Sequence, residues 1–311
     1  KNLLADADFI LQYLKNGEDV VVEDISAKLV KVDIQGRLSY KLIADLFGNN
    51  VLRNRHKPDK NMRFFTFNEF KFENHDYFIS RTGYTNRWGW ELYIPAEVAE
   101  NQFKRIATKA LALGGLVVGL GGRDENRISA GNFGLPLNGS EYDKFHTPIN
   151  SPLFAAAINM NKNNFIGRNA LNEELMQNPI KKMVLFISEG IVSNKMIYLN
   201  GKKIGKVTSS INSPNVSFEK RKFIGSKRKN VNDENGMAAI GLGWLSENPF
   251  KIDVDGKDIL LKEDIAVRIK VEFYFVDEDG NPKGKPTLGY ISGDGVSPST
   301  ASKPLKFIAN I

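Results

Sequence analysis

Residues 81–93, RTGYTNRWGWELY, constrain the fold more than any other part of this 311-residue chain. They read as a β-hairpin: Phe78 and Ile79 lead in, a Thr-Asn-Arg turn reverses the chain, and residues 89–93 return with alternating side chains. Alternation puts Trp90, Leu92 and Ile94 on one face and Glu91 and Tyr93 on the other. With the tryptophan face in a core, Glu91 points toward whatever the hairpin shapes. A carboxylate can accept two hydrogen bonds at once, which suits a ligand with two adjacent N–H donors. Tyr84, near the turn, offers a flat face to an aromatic ring. A surface hairpin with Tyr84 and Glu91 in water accounts for the same spacing.

The length is enough for two or three domains and a substantial core. Hydrophobic content of 41% and charged content of 25% are those of an ordinary globular protein. No apolar run reaches the length of a membrane span, and the first residues do not resemble a signal peptide, so a cytoplasmic location is expected. The absence of Cys removes disulfides, thiolate nucleophiles and thiolate metal sites from this chain. Three widely spaced histidines, His56, His75 and His146, do not form the usual His-rich metal pattern. A net charge of +7 calls for an anionic partner to be considered. The densest basic cluster, residues 220–229, is followed by Asn-Asp-Glu-Asn-Gly and has no stacking-aromatic pattern, so a solvated loop is favoured over nucleic-acid binding.

Along the chain, residues 5–14 carry apolar side chains at helical spacing. Residues 20–22 and 27–34 read as strands, and residues 39–47 as a helix ended by Gly48. Residues 64–67, 69–73 and 76–80 are short aromatic strand-like pieces leading into the hairpin. Residues 96–113 form a helix whose stripe of Val98, Phe103, Ile106, Ala107 and Ala110 is core. A glycine-rich turn, residues 114–122, then enters a helix bearing Arg123 and Arg127, four apart on one face. Two guanidiniums there suit a carboxylate, although Arg127 has acidic neighbours to pair with. After Pro179 short strands and Asn-Gly or Asp-Gly turns indicate an all-β domain, a small barrel.

RTGYT followed by Gly89-Trp90-Glu91-Leu92-Tyr93 resembles the signature of the glycine cleavage T-protein family, the tetrahydrofolate-dependent aminomethyltransferases. The family usually continues TGEDG, where this chain has Thr85-Asn86-Arg87-Trp88-Gly89. Further matches follow in the family order. Gln35-Gly36 resembles QGP with Arg37 in place of Pro, and residues 119–124 resemble GLGARD. Residues 134–139, with Asn138 for Tyr, Thr147-Pro148 and residues 165–168 resemble LxLYG, the TP turn and FIGREAL. Residues 205–209 with Ser213-Pro214 resemble GxVTS…SP, which residues 289–293 with Ser297-Pro298 echo. Departures are Ser129, where relatives have Glu, and Ser151-Pro152-Leu153 in place of an acidic element.

The resemblance implies an α+β fold: a clover-leaf of ferredoxin-like α+β domains plus a C-terminal antiparallel β-barrel. The expected limits are 1–25 (remnant of the second α+β domain), 26–150 (central folate-binding domain), 151–178 (connecting segment packing on the second domain) and 179–311 (barrel). By the same resemblance, Glu91 grips the pterin of tetrahydrofolate, Tyr84 packs on the folate, and Arg123 lies beside it. The chain opens part-way into the family pattern, which implies a further N-terminal part in relatives. That part carries the aspartate near the reacting amine, so no catalytic residue is assigned here. The implied activity moves a one-carbon unit from an aminomethyl group on a lipoyl carrier protein to tetrahydrofolate, in glycine catabolism. Alternatives on the same scaffold are a dimethylsulfoniopropionate-type demethylase, the folate domain of a dimethylglycine or sarcosine dehydrogenase, and a non-catalytic folate-binding accessory protein. The accessory relatives carry a signature Cys that is absent here.

Overall fold

The computed structural model describes residues 2–14, 18–85, 87–129, 141, 146–150, 158–177, 182–214, 216–219, 222–223, 238–246, 251–254, 257–260 and 268–292. They belong to two compact units, residues 1–83 with 87–117, and residues 84–86 with 118–311.

The first unit runs α1 (Asn2–Gln12), β1 (Leu29–Gln35), α2 (Ser39–Phe47), β2 (Arg53–Asn54), β3 (Lys57–Asn61), β4 (Phe67–Phe72), β5 (His75–Ser80), β6 (Gly89–Pro95) and α3 (Ala99–Ala112). Four strands form one antiparallel sheet in the order β1-β6-β5-β4. Period-two patterning sorts its faces. Ile34, Tyr77, Ile79, Trp90, Leu92 and Ile94 are buried, and Leu42 and Ile43 of α2 and Ile106 of α3 complete that core. Helix α2 ends where predicted: Gly48 takes φ +91° and its N–H reaches the Ala44 carbonyl at 2.9 Å. Between β4 and β5, Glu73 and Asn74 both lie at positive φ, as a two-residue turn matched to strand twist requires.

The predicted hairpin is present, with Phe78, Ile79 and Ser80 opposite Tyr93, Leu92 and Glu91. Its connection is longer than a tight Thr-Asn-Arg turn, spanning residues 81–88. Three other expectations are corrected. Val20–Val22 form no strand: the run is exposed and, with three consecutive β-branched residues, has no polar-apolar alternation to seat it on a sheet. Phe64 and Phe65 form a turn, Phe65 at φ +61°, and β4 starts at Phe67. In α3, Phe103 is exposed and Gln102 is buried, because Gln102 donates to Glu73 at 3.1 Å.

The second unit contains α4 (Leu120–Ser129), α5 (Arg168–Gln177), β7 (Lys182–Ser188), β8 (Met196–Leu199), β9 (Lys202–Asn212), β10 (Val216–Ser217), β11 (Lys222–Phe223), β12 (Ala239–Leu245), β13 (Lys251–Val254), β14 (Lys257–Leu260), β15 (Arg268–Val276) and β16 (Pro282–Ser292). Six strands close a barrel in the order β12-β7-β16-β15-β8-β9, as the turn-rich composition predicts. β7 and β12 read as near-continuous apolar runs because both faces are covered. Val184 and Phe186 join one cluster with Ile197, Val207 and Phe273; Met183, Leu185 and Ile187 join another with Ile240, Leu242 and Ile128 of α4. Gly241 permits this packing, since a Cβ there would sit 2.2 Å from the Phe186 ring and 2.3 Å from the Ser209 carbonyl oxygen. The segments 134–139, 151–153 and 293–298, and all of the basic cluster at 220–229 but Lys222–Phe223, lie outside the described residues. Among the described residues no helix is long and apolar enough to cross a membrane.

A buried ionic network fastens α4 to the barrel strands. The Arg127 side chain is fully buried and donates to Asp124 at 2.9 Å, Glu141 at 3.2 Å and the Ser209 hydroxyl at 2.9 Å. The Glu141 carboxylate also accepts from Ser209 and lies 3.0 Å from the Thr208 hydroxyl, while the Trp244 indole donates to the Glu141 carbonyl. This confirms the structural ion-pair reading of Arg127. Replacing one partner strands the other charge in the interior. In urea unfolding, Arg127→Met should cost about 3–5 kcal/mol, and Arg127→Met combined with Glu141→Leu should cost less. Gly241→Ala should cost about 1–3 kcal/mol in thermal unfolding by overpacking alone.

Candidate functional site

Glu91 owes its position to β6. Its neighbours Trp90 and Leu92 are 5% and 0% exposed in the core, so the alternation delivers the Glu91 carboxylate to the opposite face. There it accepts hydrogen bonds from the Thr82 hydroxyl and the Lys31 ammonium. The Ser80 and Thr82 hydroxyls are 2.6 Å apart. Because Thr82 has one proton and gives it to Glu91, Ser80 must be the donor in that contact. The carboxylate is thus oriented from one side by a relay of two hydroxyls and from the other by a cation. Burial works to raise the Glu91 pKa, but the bonds from Lys31 and Thr82 outweigh it and hold the group below the usual carboxylate value.

The loop that carries Thr82 is itself clamped. Gln35, the last residue of β1, donates its amide to the carbonyls of Thr82 at 3.3 Å and Trp90 at 3.2 Å. A Cβ on either Gly83 or Gly89 would sit 2.2 Å from the Gln35 side chain, so both glycines are spacers for this amide. The Gly36 amide reaches the Trp88 carbonyl at 2.6 Å. On the other side, the Arg81 guanidinium donates to the Met62 carbonyl and lies 5.2–6.0 Å from the rings of Trp88, Trp90 and Phe64.

Tyr84 and Arg123 are brought together in the second unit. The Arg123 guanidinium stands 4.8 Å over the Tyr84 ring. Arg123 is presented by the first turn of α4, where its amide bonds the Gly119 carbonyl at 3.1 Å. Its Nε is buried and has no hydrogen-bond partner among the described residues. Burial pushes the Tyr84 phenol above its usual pKa, so the ring remains neutral. Arg127 does not share this role, since its donors are spent on Asp124, Glu141 and Ser209. His146 stacks on Trp244 with ring centroids 4.4 Å apart, which gives it a packing role.

Several residues of these surroundings escape a reading of spacing. Lys31, Asp33, Thr82 and Glu141 acquire their roles from partners 9 to 68 residues away, through strand register and burial. The one local signal was the alternation Lys31-Val32-Asp33, two polar residues flanking an apolar one in a predicted strand. Asn86, Asn138 and Ser151-Pro152-Leu153, where the chain departs from the T-protein pattern, lie outside the described residues.

Known proteins resemble this chain in sequence and fold. The aminomethyltransferase of Oceanobacillus iheyensis is 31% identical over 275 residues, 85% of this chain and 66% of the relative. The aminomethyltransferase of Bacillus subtilis is 29% identical over 82% of this chain and 64% of its own length. That of Caldanaerobacter subterraneus is 32% identical over 63% of this chain and 50% of its own. The chain therefore spans between half and two thirds of the length of these curated relatives. The crystal structure of glycine cleavage system aminomethyltransferase T from Bartonella henselae superposes with a TM-score of 0.64 over 96% of this chain and 67% of that one. At 22% identity that likeness shows a shared fold. Residues 2–162, more than half of the chain, match the GCVT N-terminal domain family, and with the T-protein motifs in their family order the chain belongs to that family.

Proposed function

We propose that this chain takes part in tetrahydrofolate-dependent aminomethyl transfer, binding the folate through Glu91, Tyr84 and Arg123. The observation that carries the reading is the state of Glu91: a carboxylate with 14% side-chain exposure, kept ionised and fixed in orientation by Lys31 and Thr82. Such a group pairs with the adjacent N–H donors of a pterin, as a charge-assisted two-point contact. The second unit, taken by itself, has features that suit other parts of a folate. The Tyr84 ring offers an apolar face, and the buried Arg123 Nε is a donor with no acceptor among the described residues. Tyr84 and Arg123 together suit a ligand with an aromatic body and a carbonyl or carboxylate nearby.

When bound, tetrahydrofolate supplies the ring nitrogen that accepts the one-carbon unit. The protein's own contribution is placement. Glu91 fixes the orientation of the pterin edge, Tyr84 restricts the plane of its neighbour, and Arg123 offers fixed positive charge to an anion. None of these residues is an activated nucleophile, so catalysis rests on positioning and electrostatics. The carbon donor under this reading is an aminomethyl group borne by a lipoyl carrier protein, and the chain's net charge of +7 suits an acidic carrier surface.

Calorimetric titration with tetrahydrofolate tests the reading. Glu91→Gln keeps the shape and removes the charge, and should weaken binding by roughly 10- to 100-fold, since hydrogen bonds to charged groups contribute about 1.5–3 kcal/mol. Tyr84→Ala should lose about 0.5–1.5 kcal/mol, the usual worth of an aromatic contact. Equal affinity for the Glu91→Gln variant and the unsubstituted chain would remove Glu91 from the site.

A further inference from the structure

Glu91 does not stand alone on its face of the sheet. The β1–β6 register places Asp33 directly opposite it, and Lys31 comes from the same face of β1, because Val32 and Ile34 turn to the core side. Two carboxylates opposed across a strand pair repel each other. Lys31 lies between them, bonded to Glu91 and 3.1 Å from Asp33. The other neighbours do not compensate: β5 presents Ser80 and its following loop Thr82, neither of which titrates, and Tyr93 is the next ionisable group along β6.

The environment shifts the two carboxyl groups in opposite directions. Burial is the largest influence on Asp33 and raises its pKa; Lys31 lowers it, Glu91 raises it, and the net effect is a rise. Glu91 moves the other way: burial raises it, and the bonds from Lys31 and Thr82, the Lys31 charge and a smaller contribution from an Asp33 contact together lower it. For Lys31, burial disfavours the charge, but the two carboxylates outweigh it and its pKa is raised.

We propose that Lys31 is a positioning residue of the folate site, holding Glu91 as an ionised acceptor against the opposed carboxylate of Asp33. The proposal rests on the reading of Glu91 as the carboxylate that grips the ligand. In it, Lys31 and Asp33 set how far into acid Glu91 can accept two N–H donors. A neutral residue at position 31 leaves the two carboxylates facing each other with no cation between, so Glu91 is protonated at higher pH and binding is lost earlier as pH falls. Removing the Asp33 charge as well takes away the repulsion and returns Glu91 toward its original behaviour.

Four forms of the full chain test this: unsubstituted, Lys31→Met, Lys31→Arg, and Lys31→Met with Asp33→Asn. The first readout needs no ligand. Carboxyl-carbon NMR, with Glu91 assigned through Glu91→Gln, should show Glu91 titrating at higher pH in Lys31→Met and returning in the other two variants. The second is tetrahydrofolate affinity across pH. Lys31→Met should bind roughly tenfold more weakly at the acid end of the folded range, with a smaller deficit at high pH, and both other variants should recover. An unmoved Glu91 titration in Lys31→Met overturns the proposal whatever the folate does. A moved titration with an unmoved affinity profile overturns the role of Lys31 in binding. No tetrahydrofolate binding by the unsubstituted chain, with the titration shifted as expected, overturns the folate reading and supports only the control of the Glu91 charge by Lys31.

Discussion

The side chain of Gln35, enclosed between two glycines, is the contact on which the first unit depends. Its amide reaches the Thr82 and Trp90 carbonyls, on the two arms of the hairpin connection, and so fixes the separation at which the loop leaves β5 and enters β6. That separation brings the Thr82 hydroxyl to Glu91. A shorter side chain at position 35 leaves two carbonyls without their donor, and a larger one at 83 or 89 expels the amide. The orientation of one carboxylate is therefore set by a neutral residue that never touches it. Rigid support from a second layer of contacts is what a binding group needs to be held to within a fraction of an ångström.

The second unit follows the same logic with charges. Arg127 and Glu141 are both fully buried, and each is tolerable only because the other is there with Asp124, Ser209 and Thr208 around them. This pair anchors α4 on the barrel strands β9 and β12. Arg123, one turn earlier on the same helix, is thereby carried to the Tyr84 ring, its Nε without a partner among the described residues. Two arginines four residues apart do different things: one consumes its donors in holding the helix, and the other stacks on an aromatic ring.

The hairpin, the sidedness of Trp90 and Glu91, the end of α2 at Gly48 and the barrel were legible in the sequence, because each is written in local alternation or in a glycine at a chain reversal. The ladders that bring Asp33 opposite Glu91 and Ser209 to Arg127 were not, since register is decided by pairing between distant segments. Val20–Val22 misled for a related reason: β-branched residues favour a strand only where a neighbouring strand exists. Phe103 misled because apolar spacing on α3 cannot reveal that Glu73 draws Gln102 into the covered face. Family motifs supplied Tyr84, Glu91 and Arg123, while Lys31 and Asp33 follow from geometry.

The chain's three tryptophans are Trp88, Trp90 and Trp244. Two flank the Arg81 guanidinium in the connection that carries Thr82, and the third donates its indole N–H to the backbone of Glu141. Each unit thus contains its own optical reporter beside its key acidic residue. A Trp244→Phe chain would emit from the first unit alone, and a Trp88→Phe/Trp90→Phe chain from the second. Intrinsic fluorescence of these two forms would let the loss of order around Glu91 be followed separately from that around Arg127, in one molecule and without a label.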